Sequence, residues 1–423
     1  MTVTVSGRTL SGKTSIIASK SVVHRLLICA ALCDAQTVIE GVTYSEDIEA
    51  TVRCLRAGLA DITCEGDRVT VTPRGDRDPS AFLDCGESGS TLRFLLPIMA
   101  ACGGARFTGK GRLSQRPLTP IYPVLEEHGC RLSEEGTFPL SVSGQLRGRE
   151  FEISGSLSSQ FVSGLLMAAP LMGGVCRIRV TGEMASYPYI ALTIQALSCF
   201  GVRVTREENV FTVSGRYLSP HTLPAEGDWS NAAFWLVGAA LSGSENFGLS
   251  GLSEKSRQGD QAIVALLRQA GFSVVNTEGI WRVSGSGPRQ ALRVDAEAIP
   301  DLVPIVAVLA SALPGQTVIY NAERLIHKES NRLQTVRDLI VALGGDCVIT
   351  ADGLLINGGT LKGGTVQGSN DHRIVMSAAI AALICEQSVT IVGAEAVNKS
   401  YPTFFDEIEK RGMRVCHLSV DES

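Results

Sequence analysis

The chain has 423 residues, of which 44% are hydrophobic and 19% are charged, and its formal net charge is -5. This length exceeds that of one ordinary domain and predicts two domains with large buried cores. The negative charge argues against a general nucleic-acid surface, which needs clustered lysine and arginine, so any anion-binding site must be local.

Several other classes of protein are also excluded. No stretch reaches the roughly 18 to 20 apolar residues of a membrane span, and the first segment, MTVTVSGRTL, lacks the layout of a signal peptide. We therefore expect a cytoplasmic protein with no membrane partner. The twelve cysteines are expected to be reduced thiols, several of them in apolar runs. Because the sequence has no Cys-x-x-Cys pair and no histidine-rich cluster, it predicts no metal site and no cofactor.

The first predicted element is an extended strand from Thr2 to Val5, which periodicity alone assigns to neither half of the chain. Six similar units follow. In each, a helix-like segment ends at a glycine and leads into a short strand, a polar turn and a second strand, as in LSCFGVRVTREENVFTVSG. Glycine suits a helix C′ position because it adopts the left-handed conformation without a steric penalty. These glycines recur about every 70 residues and are Gly58, Gly129, Gly201, Gly271, Gly344 and Gly412.

A second marker repeats with the same period. A polar residue that suits an N-cap opens a helix rich in alanine and leucine, which leads into a strand. Segments such as RLLICAALC are apolar nearly all round, so we expect their own sheets to bury these helices. The openings lie near Ser21, Ser90, Ser159, Ser230, Asp301 and Asp371.

Together the two markers predict an α/β fold of six subdomains in two groups of three, each subdomain with two helices and about four strands. The segment SGRYLSPHTLPAEGDWS, between Val213 and Ser230, lies halfway along the chain and is rich in proline, glycine and serine. This composition predicts a linker between the two domains.

Residues capable of binding or catalysis gather at the helix openings. If the buried helices run parallel, their N-termini face one cleft, where N–H groups and helix dipoles attract anions. A serine or aspartate at one N-cap usually only caps, but lysine, glutamine and arginine beside several caps favour a shared anion site. These residues are Lys20, Ser21, Arg25, Gly89, Ser90, Arg93, Ser158, Ser159, Gln160, Asp301, Asn370, Asp371, His372 and Arg373.

A further basic set lies outside the openings. Arg116 lies in GRLSQRPL, and Lys399 lies in NKSYPTFF. Lys328 and Arg332 lie in HKESNRL on either side of Glu329. Each alone is typical of a solvated surface charge, but together they supply the ammonium and guanidinium donors that hold carboxylates and phosphates.

Over its whole length the chain resembles the EPSP synthase family of enolpyruvyl transferases. The resemblance is carried by SKSVVHR, ESGSTLRF, RLSQRPL, SLSSQF, ASYPYI, AIPDLVP, HKESNRL, SNDHRIVM and NKSYP, which stand in the family's order and spacing. It implies two domains of three βαβαββ subdomains each, with the active site in the interdomain cleft. In this family the chain begins in one domain, builds the other and returns. That implies an N-terminal domain of residues 13–225 and a C-terminal domain of residues 1–12 and 226–423.

The resemblance also implies a reaction, the transfer of the enolpyruvyl group of phosphoenolpyruvate to the 5-hydroxyl of shikimate 3-phosphate in aromatic amino acid biosynthesis. Asp301 is similar to the family's general base, Glu329 to the carboxylate implicated in proton transfer to the enolpyruvyl methylene, and Lys20 to a catalytic lysine. The implied ligands of shikimate 3-phosphate are Lys20, Ser21, Arg25, Ser158, Ser159, Gln160, Ser186, Asp301 and Lys328. Those of phosphoenolpyruvate are Lys20, Gly89, Arg116, Gln160, Arg332, Arg373 and Lys399.

The chemistry of this reaction explains the residue types. A proton reaches C3 of phosphoenolpyruvate while the 5-hydroxyl attacks C2, and the tetrahedral intermediate then loses phosphate and a methyl proton, so both an acid and a base are needed. Several anionic groups packed together repel one another unless lysine and arginine neutralise them. The family needs no metal or cofactor, its members are usually monomers, and glyphosate occupies their phosphoenolpyruvate pocket.

Four positions depart from the family's pattern. Glu87 and Asn331 stand where many members have asparagine and aspartate, respectively. Phe94 stands where many have proline, and Arg324 where some have an asparagine that contacts shikimate. These departures leave the main roles intact and affect the contacts around Glu87 and Arg324.

Three other functions fit the sequence less well. The related enzyme that transfers enolpyruvate to UDP-N-acetylglucosamine usually carries a reactive cysteine in the loop equivalent to GRLSQRPL, and this loop has none. A non-catalytic anion-binding protein would be expected to have lost Asp301, Glu329 or Lys20, and all three are present. An RNA-end-processing enzyme on similar subdomains would need a nucleotide-handling histidine and a basic surface, neither of which is evident.

Overall fold

The computed structural model describes residues 1–285 and 287–418. Helices and short strands alternate along this part of the chain. Its α-helices are α1 Lys20–Ala31, α2 Glu46–Gly58, α3 Gly89–Ala101, α4 Tyr122–Glu127, α5 Ser159–Ala168, α6 Tyr187–Cys199, α7 Trp229–Ser242, α8 Ile263–Gln269, α9 Val303–Ser311, α10 Arg332–Ala342, α11 His372–Ala381 and α12 Phe404–Lys410. Short 3-10 helices span Leu113–Gln115, Ala169–Met172, Gly259–Ala262, Glu323–His327 and Ala394–Lys399.

The strands are numbered in chain order. They are β1 Thr2–Ser6, β2 Gly12–Ser15, β3 Thr37–Glu40, β4 Ala60–Glu65, β5 Arg68–Pro73, β6 Phe82–Asp84, β7 Gly104–Thr108, β8 Cys130–Leu132, β9 Leu140–Gly144, β10 Glu150–Ser154, β11 Cys176–Thr181, β12 Val202–Glu207, β13 Val210–Gly215, β14 Thr222–Pro224, β15 Phe247–Ser250, β16 Phe272–Thr277, β17 Ile280–Gly285, β18 Arg293–Asp295, β19 Gln316–Tyr320, β20 Asp346–Ile349, β21 Leu354–Asn357, β22 Gly364–Gln367, β23 Val389–Val392 and β24 Arg414–Leu418.

These strands form six four-stranded sheets with one shared pattern: a parallel pair at one edge, followed by two antiparallel neighbours. The orders are β14-β3-β5-β4, β6-β7-β9-β8, β10-β11-β13-β12, β2-β15-β17-β16, β18-β19-β21-β20 and β22-β23-β1-β24. With two helices for each sheet, the predicted α/β fold of six similar subdomains is confirmed.

The chain divides into two compact units, each with three of the sheets. The N-terminal unit is Ala18–Glu226, and the C-terminal unit combines Met1–Ile17 with the described residues from Gly227 onward. Within the C-terminal unit, β1 lies between β23 and β24, antiparallel to both, and β2 is parallel to β15. Among the described residues, no helix is long and apolar enough to cross a membrane.

The predicted linker is largely structured. Tyr217 is buried, and its hydroxyl donates to the Met167 carbonyl at 2.6 Å. Strand β14 pairs in parallel with β3, so the segment closes the first sheet of the N-terminal unit rather than crossing open space. The boundary between the two units, Glu226–Gly227, lies within this segment, but most of the segment belongs to the N-terminal unit. The proline-rich composition is typical of a linker, but proline also occurs in short edge strands, and here it lies in one.

The predicted burial of the alanine- and leucine-rich helices is confirmed. Every residue of α9 and of α11 is buried, and α7 is buried from Trp229 to Ala240. In the N-terminal unit, α5 packs closely on α3 at Gly164. A Cβ on Gly164 would fall 2.5 Å from the Arg93 carbonyl oxygen, so only glycine permits this approach.

The glycines that were expected to end helices mostly do so. Five of them adopt the left-handed conformation, but Gly58 does not. Gly58 is the last residue of α2 and is buried, with the Ala81 and Met99 side chains 3.3 Å from the position of a Cβ. This glycine is explained by tight packing, and not by a C′ conformation.

The predicted N-caps are mostly misplaced. Asp371 caps α11 as expected, but the other helices use neighbouring residues, such as Ser88 for α3, Ser158 for α5 and Asp228 for α7. Each of these side chains accepts a hydrogen bond from a backbone N–H two or three residues later, while its own backbone is extended. The predictions that are wrong are those at Ser21, Ser90, Ser159, Ser230 and Asp301.

We expect core truncation to show how strongly α5 contributes to the N-terminal unit. Leu166 is fully buried, so Leu166→Ala should lower the free energy of unfolding by about 2–5 kcal/mol. Leu218 in the same unit is 39% exposed, so Leu218→Ala should change it by under about 0.5 kcal/mol. Urea unfolding of both variants measures the difference, and equal losses would contradict the assigned packing.

Candidate active site

The first candidate residues lie at the start of α1. Lys20 is the first residue of this helix, and its Nζ donates to Asp47 Oδ2 at 2.8 Å. Both side chains are 15% exposed. Asp47 lies in the first turn of α2, where an acidic residue is favoured by the helix dipole. Asp47 was missed because its sequence context, SEDIE, indicates only a helix start.

Arg25 is buried and joins three helices. Its Nε donates to Thr193 Oγ1 at 2.7 Å, and its Nη2 donates to the Tyr189 carbonyl at 3.0 Å, both on α6. Its Nη1 donates to the Ser21 carbonyl at 2.6 Å, and its guanidinium lies 4.9 Å from the centre of the Phe94 ring on α3. Burial lowers the pKa of Arg25 to about 10, so the side chain stays charged at neutral pH. Arg25 thus has a structural role that the sequence did not reveal.

A chain of buried hydrogen bonds fixes the start of α3. His24 Nδ1 lies 2.7 Å from Thr51 Oγ1, which lies 2.7 Å from Thr91 Oγ1. Thr91 donates to Ser88 Oγ at 2.8 Å, so Thr51 must donate to Thr91, and His24 Nδ1 must carry the proton. Burial, followed by Lys20 and by Arg25, lowers the pKa of His24 well below its ordinary value, so the ring is neutral. The chain ties α1 and α2 to the N-cap of α3.

Gly89 opens α3 directly beside Arg116. A Cβ on Gly89 would lie 2.5 Å from Arg116 Nη1 and 2.6 Å from Cζ. Arg116 follows the short 3-10 helix Leu113–Gln115. The absence of a side chain at Gly89 therefore lets this guanidinium lie against the helix N-terminus.

Gln160 and Arg93 connect α5 to α3. Arg93 Nη1 donates to Gln160 Oε1 at 2.9 Å, and Arg93 Nη2 donates to the Pro117 carbonyl at 2.9 Å. Gln160 Nε2 donates in turn to Ser90 Oγ at 2.8 Å. Both ends of the Gln160 amide are thereby oriented.

Three of the candidate serines lie at the starts of α5 and α6. Ser158 accepts a hydrogen bond from the Gln160 backbone N–H at 3.3 Å, and Ser159 is buried. Ser186 precedes α6 in the left-handed conformation, with φ 52° and ψ 49°. A non-glycine residue in this region carries backbone strain, which is frequent at functional sites.

In the C-terminal unit, three cations meet at Asp301. Its Oδ1 accepts from Arg332 Nη1 at 2.6 Å and from Lys328 Nζ at 3.2 Å, and its Oδ2 accepts from Arg373 Nη2 at 3.1 Å. Asp301 is 15% exposed and lies just before α9. It does not cap that helix, because its carboxylate is committed to these side chains.

Arg332 is the most buried of these cations, with 1% of its side chain exposed. Besides Asp301, it donates to Glu329 Oε2 at 2.7 Å and to Asp371 Oδ2 at 2.8 Å. Burial alone lowers the pKa of Arg332, but Asp371, Glu329 and Asp301 together outweigh it and raise the pKa above its ordinary value. Arg332 is therefore a permanent cation whose donors are shared among three carboxylates.

The remaining candidate of this unit is Lys399, which is buried at the end of the 3-10 helix Ala394–Lys399. Its Nζ donates to the Asn370 carbonyl at 2.9 Å. Ser369 and Asn370 both adopt positive φ, at 51° and 55°, immediately before Asp371 caps α11. This strained turn brings the backbone carbonyl to the lysine.

The positions that depart from the family's pattern have local explanations. Phe94 is buried, with the Arg25 guanidinium near its ring, and Glu87 lies over Gly111. Arg324 Nη2 donates to the Glu297 carbonyl at 3.2 Å. Asn331 accepts from the Gln334 backbone N–H at 3.4 Å and so caps α10, which an asparagine does as well as an aspartate.

The predicted site residues thus fall into two clusters, each within one unit. The N-unit cluster comprises Lys20, Ser21, Arg25, Gly89, Arg116, Ser158, Ser159, Gln160 and Ser186. The C-unit cluster comprises Asp301, Lys328, Glu329, Arg332, Arg373 and Lys399. Both are rich in lysine and arginine, so both can bind anions. Among the described residues, no three His, Cys, Asp or Glu side chains are grouped so that they could hold a metal ion.

Residues 5–408 match the family model described as EPSP synthase (3-phosphoshikimate 1-carboxyvinyltransferase). A relative named 3-phosphoshikimate 1-carboxyvinyltransferase, from Clostridium acetobutylicum, is 38% identical, with 98% of each chain covered. Another of the same name, from Clostridium beijerinckii, is 37% identical, with 95% of each chain covered. A solved EPSP synthase structure from Acinetobacter baumannii has a TM-score of 0.81 and 27% identity, covering 98% of this chain and 100% of that chain.

The contribution of the Arg25 hydrogen bonds to stability can be tested with a nearly isosteric substitution. Thr193→Val keeps the shape but removes the acceptor for Arg25 Nε, so it should lower the free energy of unfolding by about 1–3 kcal/mol. The matched change Thr63→Val, at an exposed position of β4, should cost under about 0.5 kcal/mol. Chemical denaturation distinguishes the two. A Thr193→Val protein as stable as the parent would show that the bond contributes little.

Proposed function

The chain belongs to the EPSP synthase family, and from this membership we propose that it transfers the enolpyruvyl group of phosphoenolpyruvate to the 5-hydroxyl of shikimate 3-phosphate. The products are 5-enolpyruvylshikimate 3-phosphate and phosphate, in the pathway to the aromatic amino acids. The family match over residues 5–408 carries this proposal. The two cation-rich clusters support it, because both substrates are anions.

The C-unit cluster supports the proposed acid and base. Asp301 is the proposed base that takes the proton of the 5-hydroxyl as that oxygen bonds to C2 of phosphoenolpyruvate. Glu329 is the proposed acid that delivers a proton to C3 in the same step. The tetrahedral intermediate then loses phosphate from C2 and a proton from the new methyl group, which restores the double bond.

The neighbouring cations support this division of work. Lys328, Arg332 and Arg373 bond to Asp301, which favours its charged, proton-accepting form. Arg332, Arg373 and Lys399 are also proposed ligands of phosphoenolpyruvate. Arg332 already bonds to three protein carboxylates, so a bound phosphoenolpyruvate would share its guanidinium with them.

The N-unit cluster supplies the remaining proposed contacts. Arg116 lies against Gly89 at the start of α3, and Gln160 bonds to Ser90 there, which supports binding of phosphoenolpyruvate at this helix start. Lys20, at the start of α1, is a further proposed ligand. The proposed ligands of shikimate 3-phosphate are Lys20, Ser21, Arg25, Ser158, Ser159, Gln160, Ser186, Asp301 and Lys328. For Arg25 this means a second role, because three of its N–H groups already bond within the protein.

The competing functions have less support. Transfer to UDP-N-acetylglucosamine is disfavoured by the family match and by the loop that lacks cysteine. A purely binding role gives no reason for the paired carboxylates Asp301 and Glu329 on one buried arginine. The monomeric state, the cytoplasmic location, the domain limits at residues 13–225 and the cleft between domains stay predictions.

The proposed reaction predicts phosphate release from phosphoenolpyruvate that depends on shikimate 3-phosphate. Asp301→Asn and Glu329→Gln should each lower kcat by about 10²–10⁴-fold while changing substrate dissociation constants far less. Asp338→Asn, at an exposed position of α10, is the matched control and should leave kcat unchanged. Turnover of UDP-N-acetylglucosamine in place of shikimate 3-phosphate would overturn the proposal, and near-normal turnover of either active-site variant would remove that residue from the mechanism.

The position of Gly89 makes a prediction about glyphosate, which should compete with phosphoenolpyruvate. In Gly89→Ala, the new Cβ would displace the Arg116 guanidinium and narrow the proposed pocket. Since glyphosate is longer than phosphoenolpyruvate, its inhibition constant should rise more than the KM for phosphoenolpyruvate. Gly75→Ala, where a Cβ meets nothing within 4 Å, should change neither. Equal increases in the two constants for Gly89→Ala would refute this description of the pocket.

A further inference from the structure

Two proposed ligands of phosphoenolpyruvate, Arg116 and Gln160, contact the first turn of α3. A Cβ on Gly89, the first residue of α3, would lie 2.5 Å from Arg116 Nη1, so this guanidinium packs directly against the backbone of the glycine. One residue further on, Ser90 Oγ accepts a hydrogen bond from Gln160 Nε2 at 2.8 Å. A small displacement of this turn would therefore move both ligands.

The sequence makes the first turn of α3 less rigid than that of most helices. Glycine at its first position leaves the backbone more conformational freedom than any other residue would. The N-cap Ser88 accepts from the Thr91 backbone N–H through its Oγ at 3.3 Å, and from the Leu92 N–H through its carbonyl at 3.2 Å. The position of this turn therefore depends on what holds Ser88 and Thr91 from outside the helix.

That support comes from Thr51, a residue of α2 that no sequence motif marks. Thr51 is fully buried, and its Oγ1 lies 2.7 Å from Thr91 Oγ1 and 2.7 Å from His24 Nδ1. Thr91 Oγ1 donates in turn to Ser88 Oγ at 2.8 Å. The hydroxyls of Thr51 and Thr91 each accept one hydrogen bond and donate the next, so both have a fixed orientation.

Nothing else in this chain of hydrogen bonds replaces the Thr51 hydroxyl. His24 Nε2 has no hydrogen-bond partner within the described residues, so the ring depends on its Nδ1–H bond to Thr51. His24, Thr51 and Thr91 are all buried, away from water. Without the hydroxyl, His24 Nδ1–H would have no acceptor and Thr91 Oγ1 would have no donor, and each buried polar group left without its partner is costly.

We propose that Thr51 is a positioning residue for phosphoenolpyruvate: its hydroxyl holds the first turn of α3 where Arg116 and Gln160 can bind that substrate. This inference rests on the proposed function, since it takes these two residues as ligands of phosphoenolpyruvate. Thr51 touches no substrate and acts through α3. Loss of its hydroxyl weakens the binding of phosphoenolpyruvate and leaves proton transfer, which belongs to the C-unit cluster, nearly unchanged.

The test separates the hydroxyl of Thr51 from its shape. Thr51→Val keeps the branched shape without the hydroxyl, so its KM for phosphoenolpyruvate should rise about 3- to 30-fold while kcat changes by under about threefold. Thr51→Ser keeps the hydroxyl and loses only a methyl group, so its KM should stay within about twofold of the parent's. An unchanged KM in Thr51→Val, or a Thr51→Ser protein that is equally impaired, would overturn the proposal.

The second substrate distinguishes positioning from general damage to the N-terminal unit. Three proposed ligands of shikimate 3-phosphate, Ser158, Ser159 and Ser186, lie at the starts of α5 and α6 rather than on α3. The KM of Thr51→Val for this substrate should therefore change by under about twofold. Equal increases in both KM values would indicate only a structural role and would contradict the proposal.

Thr91→Val removes the next hydroxyl of the chain and provides a second test if Thr51→Val folds poorly. It should also raise the KM for phosphoenolpyruvate, and Thr91→Ser should restore the parent value. The double variant with Thr51→Val should be no worse than Thr91→Val alone, because the two hydroxyls act in series. Additive increases would show that they act independently, which would overturn the inference.

A readout without substrate separates this inference from the proposed function. The backbone N–H groups of Thr91 and Leu92 bond to Ser88, so their hydrogen exchange reports on the first turn of α3. In Thr51→Val they should exchange about 3- to 30-fold faster than in the parent, and in Thr51→Ser at the parent's rate. Equal exchange in all three proteins would overturn the inference. Absence of any turnover by the parent would instead overturn the proposed function.

Discussion

The buried guanidinium of Arg332 is the interaction on which the C-unit cluster depends. It holds carboxylates from three separate segments: Asp301 before α9, Glu329 in the loop before α10, and Asp371 at the cap of α11. Removing this cation would leave three carboxylates close together in a poorly solvated place, which costs several kcal/mol. The proposed base and acid are therefore both positioned by the same arginine. Such preorganisation lets charges develop during a reaction without reorganising the site.

In the N-terminal unit, the buried cation that connects separate segments is Arg25. Its hydrogen bonds and ring contact join α1 to α6 and α3, so one residue connects all three subdomains of that unit. In both units a cation lies among helix N-termini, where the dipoles disfavour it. Carboxylates offset this cost for Arg332, whereas neutral oxygens and an aromatic face do so for Arg25. This difference explains why the pKa of Arg332 rises and that of Arg25 falls.

The sequence was sufficient for the repeated fold but not for the details that orient the site. The six subdomains were predictable because glycines and apolar helices recur with one period. The N-caps were misplaced because serines stand close together, as with Ser88 and Ser90, and only the backbone conformation selects one. The site residues followed from the family motifs, whereas Asp47 and Thr193 were missed. Both act through contacts between distant segments, which no local pattern encodes.

The placement of β1 has a consequence for how the protein is made. This strand, Thr2–Ser6, fills the space between β23 and β24, so the last sheet cannot close until the ribosome has synthesised nearly the whole chain. The N-terminal unit is continuous, Ala18–Glu226, and can fold while translation continues. During that interval the first strand, which alternates threonine and valine, lacks its partner strands and is accessible to chaperones and to other nascent chains. In a circular permutant that joins the two ends and opens the chain near residue 227, β1 would be synthesised directly after its partners β23 and β24.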